Sequence, residues 1–203
     1  MILVVCALLP ELRYLSERAG VTILAAGVGP VEAAIATANA LGRHHYTAVV
    51  NAGIAGAFRG SARVGEAVLV ADETLADFGL EGGATLALPG DAELVERADA
   101  DAGLLASCAA LEAAGLRLAR GLTVAQVTAT DATAARLRAR YGCDVESMEG
   151  FSVLRAAAVA NVPAIEVRGI SNYVGDRASS EWDFANGARA TARALESVLD
   201  RIA

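Results

Sequence analysis

The chain has 203 residues and a mass of 20.6 kDa, the size of a single domain over residues 1–203 that can bury a full core and leaves no room for an autonomous second one. A formal charge of −7 and a pI near 4.9 argue against a nucleic-acid partner, whose phosphates call for a basic footprint. All 17 basic residues are Arg, which excludes a lysine Schiff base, a pyridoxal-phosphate lysine and a nucleotide loop ending in Gly-Lys-Ser/Thr.

The apolar fraction is 55%, but 47 residues are Ala, and no apolar run approaches the roughly 18 residues of a membrane span. A soluble, cytoplasmic protein without membrane contact is expected. The run Met1–Leu9 lacks the basic start and small-residue cleavage site of a signal peptide and reads as a buried first strand. Cys6, Cys108 and Cys143 lie far apart, as reduced buried thiols do, although spacing alone leaves a disulfide open. The only histidines are the neighbours His44 and His45, which read as a solvated helix end. No cluster has metal-ligand spacing, so neither a metal nor an organic cofactor is called for.

In chain order, β-branched runs alternate with Ala-rich helical stretches, the pattern of an α/β domain with a largely parallel sheet. The predicted strands are Ile2–Ala7, Val21–Ala25, Ala48–Asn51, Glu66–Val70, Gly121–Val127, Asp144–Glu146 and Ala164–Arg168. The predicted helices are Val31–Leu41, opened by Pro30, then Ala132–Tyr141, Gly150–Ala160 and Phe184–Ile202. The Gly- and Asp-rich stretch Ala76–Asp101 reads as a loop excursion.

Ligands of open α/β sheets bind at the carboxyl ends of strands, so chemistry is sought there. Glu11 follows the first strand, where it is either a base for a bound water or a solvated first-turn glutamate. Gly27-Val28-Gly29 makes a tight turn, but Glu32 replaces the third glycine of a dinucleotide loop, and a carboxylate beside a pyrophosphate repels it. Asn51-Ala52-Gly53-Ile54-Ala55-Gly56 offers small residues that let a flat ring lie against main chain, or forms a simple turn. In Val145-Glu146-Ser147-Met148-Glu149, a buried glutamate suits two sugar hydroxyls and a methionine suits a sugar face, while Ser147 is a plain helix cap in the alternative. Arg168 can orient a carboxylate or a water, and Asn172 carries a donor beside an acceptor, which matches a purine edge. Thr128 and Thr130 are candidates for a base site or, alternatively, a helix cap. The lone tryptophan, Trp182, either closes over a pocket or seats the last helix.

Together these places resemble the nucleoside phosphorylase and nucleosidase superfamily, over nearly the whole chain. Met148-Glu149, Val162-Pro163 and Arg168-Gly169-Ile170-Ser171-Asn172 are similar in order and spacing to the Met-Glu, Val-Pro and Arg-x-Ile-Ser-Asp elements of methylthioadenosine nucleosidases. Asn172 stands where those enzymes carry a catalytic aspartate. An asparagine can donate to a 6-oxo group and accept from N7–H, so a hypoxanthine-like base fits better than adenine. The segments 144–151 and 172–182 are most similar to futalosine hydrolases.

The resemblance implies a three-layer α/β/α sandwich around a mixed, largely parallel twisted sheet, a homo-oligomer, and a small nucleoside as substrate. It implies catalytic roles for Glu11, Asn172 and Arg168, and substrate contacts from Ala52, Gly53, Met148, Glu149 and Thr130. The charge of Glu11 disfavours phosphate as the nucleophile, and Ile54 stands where methylthioadenosine nucleosidases often have a serine that helps hold the water. Arg177 is a candidate for the carboxyl side arm of futalosine. A methylthioadenosine or adenosylhomocysteine nucleosidase, an inosine phosphorylase and a non-catalytic nucleoside-binding protein on the same fold are the competing readings.

Overall fold

The computed structural model describes residues 1–81, 88–90, 92–176 and 182–203. The elements are β1 (Ile2–Cys6), a 3₁₀ turn (Leu9–Leu12), β2 (Val21–Ala25), α1 (Pro30–Arg43), β3 (Ala48–Ala57), β4 (Ala67–Leu75), β5 (Arg97–Asp99), α2 (Ala102–Ser107), α3 (Ala109–Ala113), β6 (Leu118–Thr123), α4 (Asp131–Tyr141), β7 (Val145–Ser147), α5 (Gly150–Val159), β8 (Ala164–Tyr173) and α6 (Phe184–Ile202).

One eight-stranded sheet runs β2-β1-β3-β7-β6-β4-β5, with β8 paired to both β3 and β4. Five of its eight pairings are parallel, so the sheet is mixed and largely parallel, as expected. Because β8 joins β3 to β4, the strands β3, β7, β6, β4 and β8 close on one another in a ring.

β1 is an unbroken apolar run because it is covered on both faces. Ile2 and Val4 point to one side, where Leu195, Val198 and Leu199 of α6 pack; Leu3 and Val5 point to the other, against Ala33 of α1 and Val153 and Leu154 of α5. This makes the three layers. α6 sits tightly on β8: a Cβ on Gly169 would fall 2.1 Å from the Gly187 carbonyl. Thr191 donates its hydroxyl to the Gly53 carbonyl (2.9 Å) and accepts from the Gly169 amide (3.1 Å), tying α6 to β3 and β8 at one point.

The strands differ from expectation mainly in length. β3 does not end at Asn51, and β8 does not end at Arg168; each continues because the other lies beside it in register from Val49 and Ala164 to Ala57 and Tyr173. Pairing overrides the weak strand preference of Ala and Gly. β4 likewise extends to Leu75, where β5 pairs with it inside the stretch expected to be a loop. β6 lies earlier than expected, at Leu118–Thr123, because its partners are Leu69–Leu75 of β4 and Val145–Ser147 of β7. The short helices α2 and α3 were not legible in the Ala-rich run 102–113.

Candidate active site

A cleft of about 180 Å³ opens where β1, β3, β7 and β8 run toward their carboxyl ends. Glu11, Ile54, Ala55, Gly56, Met148, Glu149, Ser171 and Asn172 line it, with Glu146, Trp182 and Phe184 among the remaining walls. Interior strand residues Ile54, Ala55, Gly56, Ser171 and Asn172 thus share the cleft with Glu11, Met148 and Glu149 from the segments that follow β1 and β7.

Glu11 sits in the 3₁₀ turn after β1, almost wholly buried. Its Oε2 accepts from the Leu8 amide at 2.9 Å and its Oε1 from the Ile54 amide at 3.1 Å. Burial pushes its carboxyl above the ordinary range, while the Leu8 amide and Arg168 pull it back. A base held in place by two amides and made more basic by burial is poised to take a proton from water.

Glu149 precedes α5, and its Oε1 accepts from the Gly29 amide at 3.0 Å. Gly29 adopts φ +97°, a conformation that glycine takes without strain, so the Gly27–Gly29 turn serves to aim an amide at this carboxylate.

Arg168 is buried behind both glutamates and does not reach the cleft wall. Its Nε donates to Glu166 Oε1 at 2.7 Å, and its Nη1 lies 3.6 Å from Glu149 Oε2 and donates to the Ile54 carbonyl at 3.3 Å. Asn51, with its amide oriented to satisfy its neighbours, accepts from Nη2 at 2.8 Å and donates to the Val5 carbonyl at 3.2 Å. Burial alone would lower the guanidinium's pKa, but Glu166 and Glu149 more than reverse this, and the group stays charged. A Cβ on Gly53 would lie 2.9 Å from both Arg168 Nη1 and Glu11 Oε1, so the missing side chain is what lets the two approach.

The other end of the cleft is built on a bulge. Ala55 pairs with Ile170 and Gly56 with Asn172, which leaves Ser171 without a partner in the ladder. Consecutive strand residues normally face opposite sides; here the extra residue brings both Ser171 and Asn172 to the cleft. The Ser171 hydroxyl donates to Asn172 Oδ1 at 2.8 Å and Asn172 Nδ2 donates to the Tyr173 carbonyl at 3.1 Å. Those bonds fix which edge of the amide donates. On the opposite side of Gly56, Glu146 of β7 is its ladder partner. Glu146 accepts from the Thr128 amide at 3.0 Å and from the Thr128 hydroxyl at 2.5 Å, and burial raises its carboxyl against the pull of those bonds.

Of the expected site residues, Glu11, Met148, Glu149 and Asn172 line the cleft. Three placements are corrected. Ala52 packs in the core and Gly53 lies behind the wall, because β3 continues and delivers Ile54, Ala55 and Gly56 to the cleft instead. Thr130 is exposed and caps α4 by accepting from the Thr133 amide at 3.1 Å. Thr128, two residues earlier, is the buried one. Trp182 and Phe184 both border the cleft at the start of α6. Arg177 lies outside the described residues. Glu146 was not singled out, although an acidic residue inside a short buried strand is a readable signal.

His44 and His45 are exposed at the end of α1, far from this chemistry. The three cysteines are free and buried, and burial pushes the Cys6 and Cys143 thiols up to about 12, which removes them as nucleophiles. Among the described residues no group of three or more His, Cys, Asp or Glu is placed to hold a metal ion, and no helix is long and apolar enough to cross a membrane.

The sequence matches the phosphorylase superfamily over residues 12–203, and the chain belongs to that superfamily. Within it, the curated relatives are futalosine hydrolases. That of Thermus thermophilus is 37% identical over 185 residues, covering 89% of this chain and 81% of the relative. That of Streptomyces coelicolor is 41% identical over 180 residues, covering 80% and 72%. Among solved structures, futalosine hydrolase of Helicobacter pylori superposes with a TM-score of 0.84 at 16% identity, covering 98% of this chain and 97% of that one. The methylthioadenosine/adenosylhomocysteine nucleosidase of Neisseria meningitidis superposes with a TM-score of 0.83 at 18% identity, covering 98% and 97%. The shared fold is the nucleoside phosphorylase type.

Proposed function

We propose that this chain is an N-ribosyl hydrolase that cleaves futalosine with water, giving hypoxanthine and dehypoxanthine futalosine, a step of the futalosine route to menaquinone. The observation that carries the water half of this reading is the cleft's charge. Among the described residues its walls hold Glu11, Glu146 and Glu149 and no arginine. Carboxylates repel a phosphate nucleophile and suit a water.

The C1′–N9 bond lengthens first and charge builds on the ribose. Glu149 binds the 2′ and 3′ hydroxyls and stabilises that positive charge, and Met148 pads the sugar face. Asn172 stabilises the departing hypoxanthine by donating to O6 and accepting from N7–H, the N7 proton coming from solvent water since an amide has none to give. Glu11 takes the proton of the attacking water, a contribution on the order of 10²–10⁴-fold. Arg168 acts through the glutamates as a positioning residue. The backbone of Ile54, Ala55 and Gly56 supports the base, since Gly56 presents no side chain beneath a flat ring. The chain works as one domain, in the cytoplasm and as a homo-oligomer.

The test is base release from purified protein given futalosine, inosine and methylthioadenosine, each with and without phosphate. Hypoxanthine from futalosine, indifferent to phosphate, is the expected result; adenine from methylthioadenosine, or turnover only with phosphate, overturns the reading.

A further inference from the structure

Beneath the cleft, inside the ring of strands, lie two glutamates that the reaction does not use. Glu73 of β4 and Glu166 of β8 are both completely buried. Glu73 Oε2 accepts from the Thr123 hydroxyl at 2.8 Å, and Glu166 Oε1 accepts from Arg168 Nε at 2.7 Å. The remaining oxygens, Glu73 Oε1 and Glu166 Oε2, have no hydrogen-bond donor. The two carboxyl groups crowd one spot: a Cβ on Gly150 would lie 2.2 Å from Glu73 Oε1 and 2.8 Å from Glu166 Oε1, and one on Gly121 would lie 2.1 Å from Glu73 Oε1. Two glycines thus clear the space that the pair occupies.

Two ionised carboxylates cannot sit together in a dry interior with orphaned acceptors, whereas one proton between them supplies the missing donor and removes the repulsion. Among the described residues the single buried cation nearby is Arg168, already shared with Glu149. We propose that Glu73 and Glu166 share one proton, and that this singly charged pair pins Arg168 and so positions Glu11 and Glu149 for the reaction. The proton resides on Glu73, which donates toward Glu166, while Glu166 keeps its charge for Arg168. Burial and the neighbouring Glu166 both push the Glu73 carboxyl well up, in keeping with this assignment.

The charged and titratable groups around Glu73 are Glu166 and Arg168 on β8 and the Cys143 thiol; around Glu11 they are Arg168, Glu149 and the Cys6 thiol. Loss of charge at Glu166 leaves Arg168 less compensated beside Glu11. The pKa of Glu11 then falls, it becomes a weaker base, and the acid limb of kcat moves to lower pH.

The kinetic arm rests on the hydrolase reading, and an infrared arm does not. Glu73→Gln mimics a protonated carboxyl, so it lowers kcat by no more than about threefold, leaves the acid limb in place and removes one protonated-carboxyl C=O band from the infrared spectrum at neutral pH. Glu166→Gln lowers kcat by about tenfold or more with KM little changed and shifts the acid limb downward. A spectrum of Glu73→Gln identical to wild type overturns the shared proton even if wild-type protein releases no base from futalosine. A Glu73→Gln protein that fails to fold, or loses as much kcat as Glu166→Gln, also overturns it, because Glu73 would then be needed as a charge. A Glu166→Gln protein with an unmoved acid limb and full kcat overturns the positioning role.

Discussion

The two ends of the cleft solve different problems. At the Glu11 end, main chain grips the two carboxylates: the amides of Leu8 and Ile54 hold Glu11 and the Gly29 amide holds Glu149, while Arg168 is held by the Ile54 carbonyl together with the side chains of Asn51 and Glu166. At the Gly56 end side-chain hydroxyls join the main chain: Ser171 and the Tyr173 carbonyl hold Asn172, and the Thr128 hydroxyl and amide hold Glu146. Backbone grips are indifferent to sequence and fix geometry, which suits the chemistry of water and ribose. The hydroxyl grips added at the Gly56 end change with sequence, which suits the choice of base.

The largest expected effect is that of Glu11→Gln. It lowers kcat on the order of 10²–10⁴-fold with KM nearly unchanged, measured by steady-state base release. In the wild type the acid limb of kcat has its midpoint above the ordinary glutamate value of 4.5, since burial raises this carboxyl.

Gly53→Ala comes next, because its methyl would press on both Arg168 Nη1 and Glu11 Oε1. A loss of kcat approaching 100-fold is expected, with the fold retained by circular dichroism. Full activity would mean that the approach of these two groups is immaterial.

Glu149→Gln removes a charged acceptor that also faces Arg168, and kcat/KM falls roughly 10- to 100-fold. Unlike Glu11→Gln it raises KM, which separates binding of the sugar from activation of water.

At the Gly56 end, Asn172→Asp sharpens the contrast. The ratio of kcat/KM for 6-aminopurine over 6-oxopurine nucleosides rises about tenfold, with the geometry of the Glu11 end untouched. An unchanged ratio would place base choice elsewhere.

The smallest effect concerns stability. A carboxyl whose folded pKa is raised binds more protons folded than unfolded, so stability is greatest at low pH and is lost as pH climbs above about 4.5. The opposite contributions of Asp77 and Glu66, whose pKa values are depressed by Arg136 and by the Arg63 amide, are complete above about pH 5. Above about pH 4.5 the Tm of wild type therefore declines as the raised Glu73 carboxyl is forced to ionise, and Glu73→Gln flattens that decline in thermal melts.

Much of this was readable before any coordinates. Glu11, Met148, Glu149 and Asn172 stood out because polar or flexible residues directly after apolar strand patterns have few structural reasons to be there. Helices α1, α4, α5 and α6 were legible to within two residues at every end, since Pro30 and the apolar spacing of 184–202 are local signals. Thr128, Thr130, Ala52 and Gly53 were less legible, because which member of a run faces a cleft depends on where its strand ends, and a strand's end is set by its partner.

Composition and periodicity are local properties, and they suffice for the layered α/β class, the absence of lysine chemistry and the short menu of acids and amides. Long-range packing is what makes β3 and β8 run on side by side, turns two consecutive side chains to one face at the Ser171 bulge, and brings Glu73 and Glu166 together beside Arg168. Those outcomes depend on pairing register and burial between residues about 90 to 120 positions apart, and no local pattern encodes such distances.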